Sequence, residues 1–289
     1  MIEKIRDKSI KGPVTQITDY NYIAEKESRN KLDYRLIYKE VSVYDSKKRL
    51  TEKTCYEGDG DFFQKETFLY NDKGWLIEER AISVEQPKDS KLTYKYNSKG
   101  QLIERNLFYS NQLIKTVYYE YNEYGLLEFK HGIDDFDVPY KISYEYDQDG
   151  NFVQEHIPQS YAFSGRFNYD ESGRVIEKFS IKEGKRIKDY FSYDEKGFIF
   201  ESRTFELRQV DSDEWIEEIY GRQTYKYDDR GNLIECCRYD SSLMETSKDN
   251  FIYAYDEYGN WTRMLEFINC QLNKVSERKI DYAKCIRNE

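Results

Sequence analysis

The chain has 289 residues, of which 38% are hydrophobic and 35% are charged, and its formal charge is −10 at pH 7. So many charges would suggest disorder, but 29 Tyr, 16 Phe and 3 Trp are far more aromatic residues than disordered chains carry. The negative charge disfavours binding to nucleic acid, because Lys and Arg are scattered along the chain. No apolar stretch approaches the roughly 20 residues of a membrane-spanning helix, so membrane insertion is not expected.

The N-terminal region carries charges where a signal peptide would need an apolar core, so the chain as written is expected in the cytoplasm. A mature fragment of an extracellular or cell-surface protein would look the same. Residues 1–43 are predicted to form a capping hairpin, with strands over 14–24 and 32–43.

A short motif then recurs from residue 44 to residue 265: Tyr, then Asn or Asp, then two variable residues and Gly. There are nine copies, whose Tyr residues lie between 23 and 34 residues apart, and the first copy has Lys in place of Gly. The Tyr and Gly of the complete copies are Tyr70 and Gly74, Tyr96 and Gly100, Tyr121 and Gly125, Tyr146 and Gly150, Tyr169 and Gly173, Tyr193 and Gly197, Tyr227 and Gly231, and Tyr255 and Gly259.

Each copy is predicted to be a strand, a tight turn and a second strand. An aromatic residue lies two positions before the Tyr in eight of the nine copies, so both rings share one face of a strand. The Asn or Asp can bond its own backbone, and the Gly supplies the positive φ that closes a type I turn with a bulge. These residues are therefore structural repeat turns. Residues 266–289 are predicted to form a closing strand, over 274–282, and a tail.

The pattern predicts an all-β chain of about 20 strands, in which tandem antiparallel hairpins form a single meander sheet. A flat meander of that size would be about 90 Å wide. Open sheets of such width tend to coil, so the sheet is expected to be curled or spiral. Residues 1–289 are interpreted as one continuous repeat domain, stabilised mainly by contacts between neighbouring hairpins.

The repeated residues resemble the YD-repeat, or RHS-repeat, family, whose signature is Tyr-Asp followed by Gly and an apolar residue in tandem hairpins. The resemblance covers residues 44–265. It implies a coiling antiparallel sheet, with roles in carbohydrate binding, cell contact or the enclosure of toxin domains. The sequence lacks the DP-x-G motif of the shell-closing core and a segment for a C-terminal toxin. Only the fold and a recognition role are therefore carried over.

The turns that contain Tyr are nearly constant in length and are predicted to lie along one edge of the sheet, whereas the connections on the other edge vary. Function is often carried by loops on a rigid scaffold. Candidate contacts with a ligand or partner are Trp215, Ile219 and Tyr220 in the longest connection, and Tyr161 and Phe163 in another. An alternative is that the longest connection only lengthens one hairpin. The variable connections cover 83–91, 131–140, 156–165, 206–223 and 240–250.

Few residues suggest chemistry. A Glu follows the Gly position by four residues in six copies, and a pair of aligned carboxylates could hydrolyse glycosides. Nearby Lys and Arg favour cross-strand ion pairs instead. Five irregularly spaced Cys and two His predict neither a disulfide framework nor a zinc site. No catalytic residue, metal site or cofactor is predicted. The six recurring glutamates are Glu52, Glu78, Glu104, Glu177, Glu201 and Glu235.

The sequence favours a non-catalytic binding or scaffold protein whose repeat sheet presents variable loops for protein recognition. The alternative is a carbohydrate-binding module that uses exposed Tyr and Trp, and a weaker alternative is a glycosidase-like enzyme with a carboxylate pair. The expected partner is therefore a protein or a glycan. Open terminal strands would also allow two copies to pair edge to edge.

Overall fold

The computed structural model describes residues 10–25, 33–85, 89–133, 138–157, 165–211 and 214–283. Twenty strands belong to one antiparallel sheet, and no helix occurs in these ranges. The prediction of an all-β chain of about 20 strands is confirmed. The strands are β1 (Val14–Glu25), β2 (Asp33–Tyr44), β3 (Leu50–Glu57), β4 (Phe62–Tyr70), β5 (Leu76–Ser83), β6 (Ser90–Tyr96), β7 (Leu102–Tyr109), β8 (Gln112–Tyr121), β9 (Leu127–Ile133), β10 (Pro139–Tyr146), β11 (Phe152–His156), β12 (Arg166–Tyr169), β13 (Val175–Lys182), β14 (Lys185–Tyr193), β15 (Ile199–Gln209), β16 (Trp215–Tyr227), β17 (Leu233–Tyr239), β18 (Glu245–Tyr255), β19 (Trp261–Ile268) and β20 (Gln271–Tyr282).

The chain forms two compact units. The first contains residues 1–114 and 250–289, and the second contains residues 115–249. In the first unit, successive pairings run from β19 through β20 and β1 to β7. The second unit contains β9 to β17, and the boundaries between the units fall within β8 and β18. Each unit is described by itself below.

The repeat turns adopt the predicted geometry. In one of them, Asn97 Oδ1 accepts hydrogen bonds from the backbone N–H groups of Lys99 and Gln101, both at 3.0 Å. The N–H of Gly100 donates to the carbonyl of Asn97 at 3.1 Å. The Gly residues of all eight complete turns have φ between 73° and 85°, which favours glycine because a Cβ is strained there. Lys48, which replaces Gly in the first copy, adopts the same region at a φ of 62°.

The repeated Tyr joins each hairpin to the one before it. The ladder between β5 and β6 ends at the pair Glu78–Thr93, so the carbonyl of Leu76 lies beyond the last strand pair. The hydroxyl of Tyr96 donates to this carbonyl at 2.7 Å. A buried carbonyl needs a partner, and here a side chain supplies what the ladder does not. Six such bonds, of 2.5–2.9 Å, join Tyr70 to Leu50, Tyr96 to Leu76, Tyr146 to Leu127, Tyr169 to Phe152, Tyr193 to Val175 and Tyr227 to Ile199.

The residue after the Gly position packs on the ring of the next Tyr. The Arg49 guanidinium lies 4.6 Å from the centroid of the Tyr70 ring, and it also pairs with Asp45 at 2.6 Å. Phe198 stacks on Tyr227, with 4.9 Å between ring centroids. Trp75 on Tyr96 and Arg174 on Tyr193 make the same contact, so these four rings are fixed both at the hydroxyl and on one face, which holds successive turns in register.

The two terminal strands pair with each other. In the first unit, β1 is bonded to β2 on one side and to β20 on the other, so that Ile17 lies opposite Ser42 and Ile280. β20 is in turn bonded to β19. The expectation that the terminal strands have open edges is therefore wrong, because β1 and β20 pair with each other.

A cluster of polar side chains reinforces this closure. The side-chain amide of Asn260 accepts from the N–H of Lys11 at 2.8 Å and donates to its carbonyl at 2.9 Å. The same amide donates to the Tyr282 hydroxyl at 2.8 Å, and that hydroxyl donates to the Asp256 carboxylate. Burial, together with the nearby carboxylate, raises the pKa of Tyr282 to about 12. The Asn260 side chain, next to a repeat turn, thus joins Lys11, which precedes β1, to Tyr282, the last residue of β20.

The apolar core is small and differs between the units. Buried apolar residues are few, and a similar number of polar residues is buried among them. The fold therefore depends on hydrogen bonds and ring contacts between neighbouring hairpins as well as on apolar burial. The buried apolar residues are Val14, Ile17, Phe251, Met264 and Val275 in the first unit, and Val117, Ile187, Leu233, Cys236 and Cys237 in the second.

The first prediction concerns the Tyr hydroxyl bonds. Replacement Tyr96→Phe removes the donor to the Leu76 carbonyl and leaves that acceptor without its partner. We expect the free energy of unfolding to fall by about 1 kcal/mol. Urea unfolding of the full chain measures this change. Tyr124→Phe is the matched control, because Tyr124 lies in a repeat turn with 82% of its surface exposed, and an equal loss there would contradict the role of the bond.

The second prediction concerns pH. Tyr282 has a folded-state pKa of about 12, above its ordinary value of 10, so its neutral phenol stabilises the fold below pH 10. This stabilisation is lost as the pH rises through the folded-state pKa. We expect the free energy of unfolding of the wild type to exceed that of Tyr282→Phe by about 1 kcal/mol near neutral pH. Solvent screening at this partly exposed site keeps the difference small. The difference should vanish in urea titrations above the folded-state pKa, and a constant difference would contradict it.

Candidate functional site

The longest variable connection forms a hairpin. Its residues extend β15 to Gln209 and begin β16 at Trp215, and the N–H of Val210 donates to the carbonyl of Glu214 across the turn at 2.9 Å. The backbone of the insertion is thus the lengthened hairpin that the sequence analysis held as an alternative. Its contacts with a ligand or partner stay a prediction.

One edge of this hairpin is open. The ladder between β16 and β17 ends at Arg222 opposite Tyr239, so the segment 215–221 runs beyond the end of β17. On its other side the segment pairs with β15. In the part of the chain that the structure describes, no strand pairs with the outer side of 215–221. An open strand edge offers N–H and carbonyl groups to another chain.

The three candidate residues of the hairpin lie on different faces. Trp215 is 40% exposed, and the Arg186 guanidinium lies 4.1 Å from the centroid of its ring. Tyr220 is 57% exposed, and Lys185 Nζ lies 5.5 Å from its ring. Because consecutive residues of a strand point to opposite faces, these cations of β14 place the two rings on opposite faces.

Ile219 contributes less surface than its two neighbours. It lies opposite Phe205 and is half-buried. The register shifts beside it, so that Tyr220 is the extra residue of a β-bulge and has no cross-strand partner. The bulge turns a large ring outward at the open edge. Tyr161 and Phe163, the other candidate contacts, lie outside the described residues.

A second exposed feature lies beside the hairpin, and its structure was not predicted from the sequence. Residues 240–250 were expected to be a variable loop, but Asp240–Met244 form a tight turn and β18 begins at the next residue. Leu243 takes the Gly position with a φ of 60°. Leu243 and Met244 are exposed. The turn follows Tyr239 and lies close to β16, because a Cβ atom added to Gly221 of β16 would lie 3.2 Å from the carbonyl oxygen of Tyr239. The signal was Tyr-Asp at 239–240, obscured by the absence of Gly.

The six recurring glutamates form ion pairs with Lys or Arg, as the nearby basic residues predict. Glu201 is the most enclosed, with a side chain 7% exposed and with Arg203 and Arg222 both at 2.6 Å. Hydrogen bonds from two lysines lower the pKa of Glu235 to about 2. The other pairs are Glu52 with Lys65, Glu78 with Arg80, Glu104 with Lys95 and Glu177 with Lys188.

The His and Cys side chains are dispersed. His131 contacts Glu120 at 2.9 Å, and His156 contacts Glu145 at 3.2 Å. Burial raises the pKa of Cys236 to about 11, which keeps the thiol protonated. Across the described ranges, no group of three or more His, Cys, Asp or Glu side chains could hold a metal ion.

The first unit contains a polar cavity of about 420 Å³ between β1, β2, β19 and β20. Its charged walls pair with each other: Arg278 binds Asp19 at 2.7 and 3.3 Å, and Lys53 binds Glu40 at 2.8 Å. Arg278 also lies 3.9 Å from the centroid of the Trp261 ring. These side chains satisfy one another, so the cavity wall is a structural network.

The sequence of this chain matches a known family of repeat proteins, in agreement with the geometry of its turns and strands. The family model for Teneurin YD-shell matches residues 7–197, about two thirds of the chain. The chain belongs to the Teneurin YD-shell family. Membership indicates a shell-type or scaffold-type repeat protein, and such a structural fold is compatible with a role without catalysis. It also agrees with the resemblance to YD repeats in the sequence.

Three solved structures are similar to this YD-shell chain at low sequence identity. Crystal structures of TcdB2-TccC3-Cdc42, and of TcdB2-TccC3 without its hypervariable C-terminal region, are each 15% identical, with a TM-score of 0.42. In both, the match covers 88% of this chain and 14% of the other, so the chain spans a small part of their length. A porin-like protein from Bacteroides uniformis is 12% identical, with coverages of 94% and 98% and a TM-score of 0.34.

No curated protein matches the sequence of this YD-shell chain. No helix in the described residues is long and apolar enough to cross a membrane.

The third prediction tests the structural role of the glutamates in the YD-shell fold. Glu201→Gln removes a buried carboxylate from two guanidinium groups. We expect the free energy of unfolding to fall by about 2 kcal/mol, less than for a fully buried pair, because both Arg side chains reach solvent. The control Glu78→Gln breaks one exposed pair and should change it by less than about 0.5 kcal/mol. Urea midpoints compare the variants, and equal shifts would contradict the assignment.

Proposed function

We propose that this YD-shell protein is a non-catalytic binding scaffold that recognises a protein partner through the hairpin β15–β16. The observation that supports this most is the open edge of 215–221, which carries the exposed rings of Trp215 and Tyr220. The repeat sheet holds this edge in place, so that a partner meets a rigid surface.

The chemistry of the hairpin suits a protein interface. Trp and Tyr contribute most to binding energy at interfaces, since they bury large areas with little loss of conformational freedom. The exposed Leu243 and Met244 lie on the neighbouring turn and extend the apolar surface. An extended segment of a partner can bond to the open edge while its side chains contact the rings.

A protein partner fits the tryptophans better than a glycan does. Sugar rings stack on the flat faces of aromatic side chains, and a cation already occupies one face of each Trp. These cations are Lys73 over Trp75, Arg186 over Trp215 and Arg278 over Trp261. Carbohydrate binding is therefore the second candidate. The glutamate ion pairs likewise support the proposal that the protein is not a glycosidase.

An extracellular or cell-surface location is part of the proposal. Membership of the Teneurin YD-shell family supports this alternative over the cytoplasmic one. A partner would then be sought among secreted and surface proteins.

The fourth prediction tests the hairpin. Immobilised full chain should capture a partner from an extracellular fraction, and Trp215→Ala and Tyr220→Ala should each weaken the affinity of the purified partner about 30-fold. The matched control is Tyr124→Ala, which removes an exposed ring from a repeat turn in the same unit. Surface plasmon resonance gives the affinities, and circular dichroism shows that the variants fold.

Two results would contradict the proposal. Unchanged affinity in both hairpin variants would place the interface elsewhere. Saturable binding to a glycan array, lost in the same two variants, would instead make the hairpin a carbohydrate site.

A further inference from the structure

A second open edge occurs in the first unit, separate from the hairpin β15–β16. β2 begins at Asp33, but its ladder with β3 ends at Tyr38 opposite Glu57. On one side, residues 33–36 of this segment pair with β1, and Ile37 is the extra residue of a β-bulge. Among the residues that the structure places, no strand pairs with its other side.

A groove of about 840 Å³ adjoins this open edge at Arg35 and Leu36. It lies between β2 and the turn at 57–61 that joins β3 to β4. The apolar residues that line it are Leu36, Ile37 and Tyr38 of β2, Tyr56 of β3 and Phe63 of β4. Such a volume lies within the range of pockets that bind drug-sized ligands, which are similar in size to a few peptide residues.

Gly58 sets the end of the groove. A Cβ at this position would lie 2.0 Å from the carbonyl oxygen of Leu36, so no other residue fits there without displacing the backbone. The turn therefore rests directly against β2 at Leu36. Because β3 continues no further, the groove beyond this point has a strand edge on one side and no strand on the other.

The charge of the groove is negative. Arg35 pairs with Glu25 at 2.6 Å, and Lys53 pairs with Glu40 at 2.8 Å, so these charges are compensated. Glu57 and Asp59 are exposed at the turn. Within the described ranges, neither has an ion-pair partner. A ligand with positive charges is therefore favoured at this end.

We propose that this groove binds an extended basic segment of a partner protein, which adds a strand to β2. The segment would form main-chain hydrogen bonds with 33–35, beyond the point where the turn covers Leu36, place an apolar side chain against Ile37 and Phe63, and place Lys or Arg beside Glu57 and Asp59. Alternate side chains of a strand point to opposite faces, so a segment with alternating apolar and basic residues meets both requirements.

A second copy of this chain fits the groove less well. The other open edge, 215–221, carries Glu217 and Glu218. These carboxylates already pair with Lys188 and Arg208, so this edge has no spare cation for Glu57 and Asp59, and each copy has a net charge of −10. The occupant is therefore assigned to a different, basic chain.

The length of the open edge determines the probe. The three residues 33–35 span about 10 Å, so a hexapeptide covers the edge and also reaches the groove beside the turn. The probe is a fluorescein-labelled hexapeptide in which valine and lysine alternate, titrated with the full chain and followed by fluorescence anisotropy. Two comparison peptides have glutamate in place of lysine, or N-methyl groups on alternate backbone amides.

We expect saturable binding of the valine–lysine peptide, with at least tenfold weaker binding of both comparison peptides. The double variant Glu57→Lys/Asp59→Asn should weaken the lysine peptide at least tenfold. It keeps an acceptor at 59 for the N–H of Asp61, which Asp59 Oδ1 now binds at 3.0 Å. The matched control is Glu171→Lys/Glu195→Gln, which makes the same change of net charge at two exposed repeat turns.

Four results would overturn the proposal. Absence of saturable binding would exclude a groove of this chemistry, and equal binding of the N-methylated peptide would exclude strand addition. Equal weakening in the control variant would show attraction by net charge alone. A concentration-dependent dimer that the double variant abolishes would assign the groove to a second copy. The groove lies outside the hairpin, so Trp215→Ala and Tyr220→Ala should leave peptide binding unchanged.

Discussion

The hydrogen bond from the repeated Tyr hydroxyl to the carbonyl of the preceding hairpin is the interaction on which this fold depends. Strand ladders between successive repeats stop two residues before the turn edge, as at Glu78–Thr93. Without the hydroxyl, the carbonyl beyond each last pair would lack a protein partner. The Tyr hydroxyl thus supplies one further hydrogen bond between neighbouring hairpins. The residue after Gly packs against the face of the same ring, as Trp75 does on Tyr96. This explains how a chain with few buried apolar residues maintains a sheet of twenty strands.

Local chemistry made the fold predictable, because each turn is determined by residues that are adjacent in the sequence. Asn97 and Gly100 specify a turn by themselves, and the period of the motif then gives the strands. The terminal pairing was not predictable in this way. The contact of Asn260 with Lys11 joins residues 249 apart, and nothing in the local pattern of either segment indicates the other.

The candidate site was predicted only in part. The length of the insertion identified hairpin β15–β16, and its exposed rings follow from the sequence. The bulge at Tyr220 could not be predicted, since register depends on the partner strand. Gly58 carries no turn motif of its own, and its importance lies in a carbonyl of another strand. Leu243 occupies a position where Gly is expected, so the turn at 240–244 was mistaken for a loop. An open edge arises where one strand extends beyond its neighbour, so it depends on the lengths of both strands.

The pairing of β1 with β20 constrains how the protein is made. β1 leaves the ribosome long before β20, which is one of its two neighbours in the sheet. The hairpins between them can form as they emerge, since each is local, whereas the pairing of β1 with β20 waits until β20 has been synthesised. Until then β1 exposes an edge that chaperones or a neighbouring nascent chain can bind. Because Pro13 and Ala283 are hydrogen-bonded to each other, a short linker could join these two positions in a circularly permuted variant in which a repeat turn is opened.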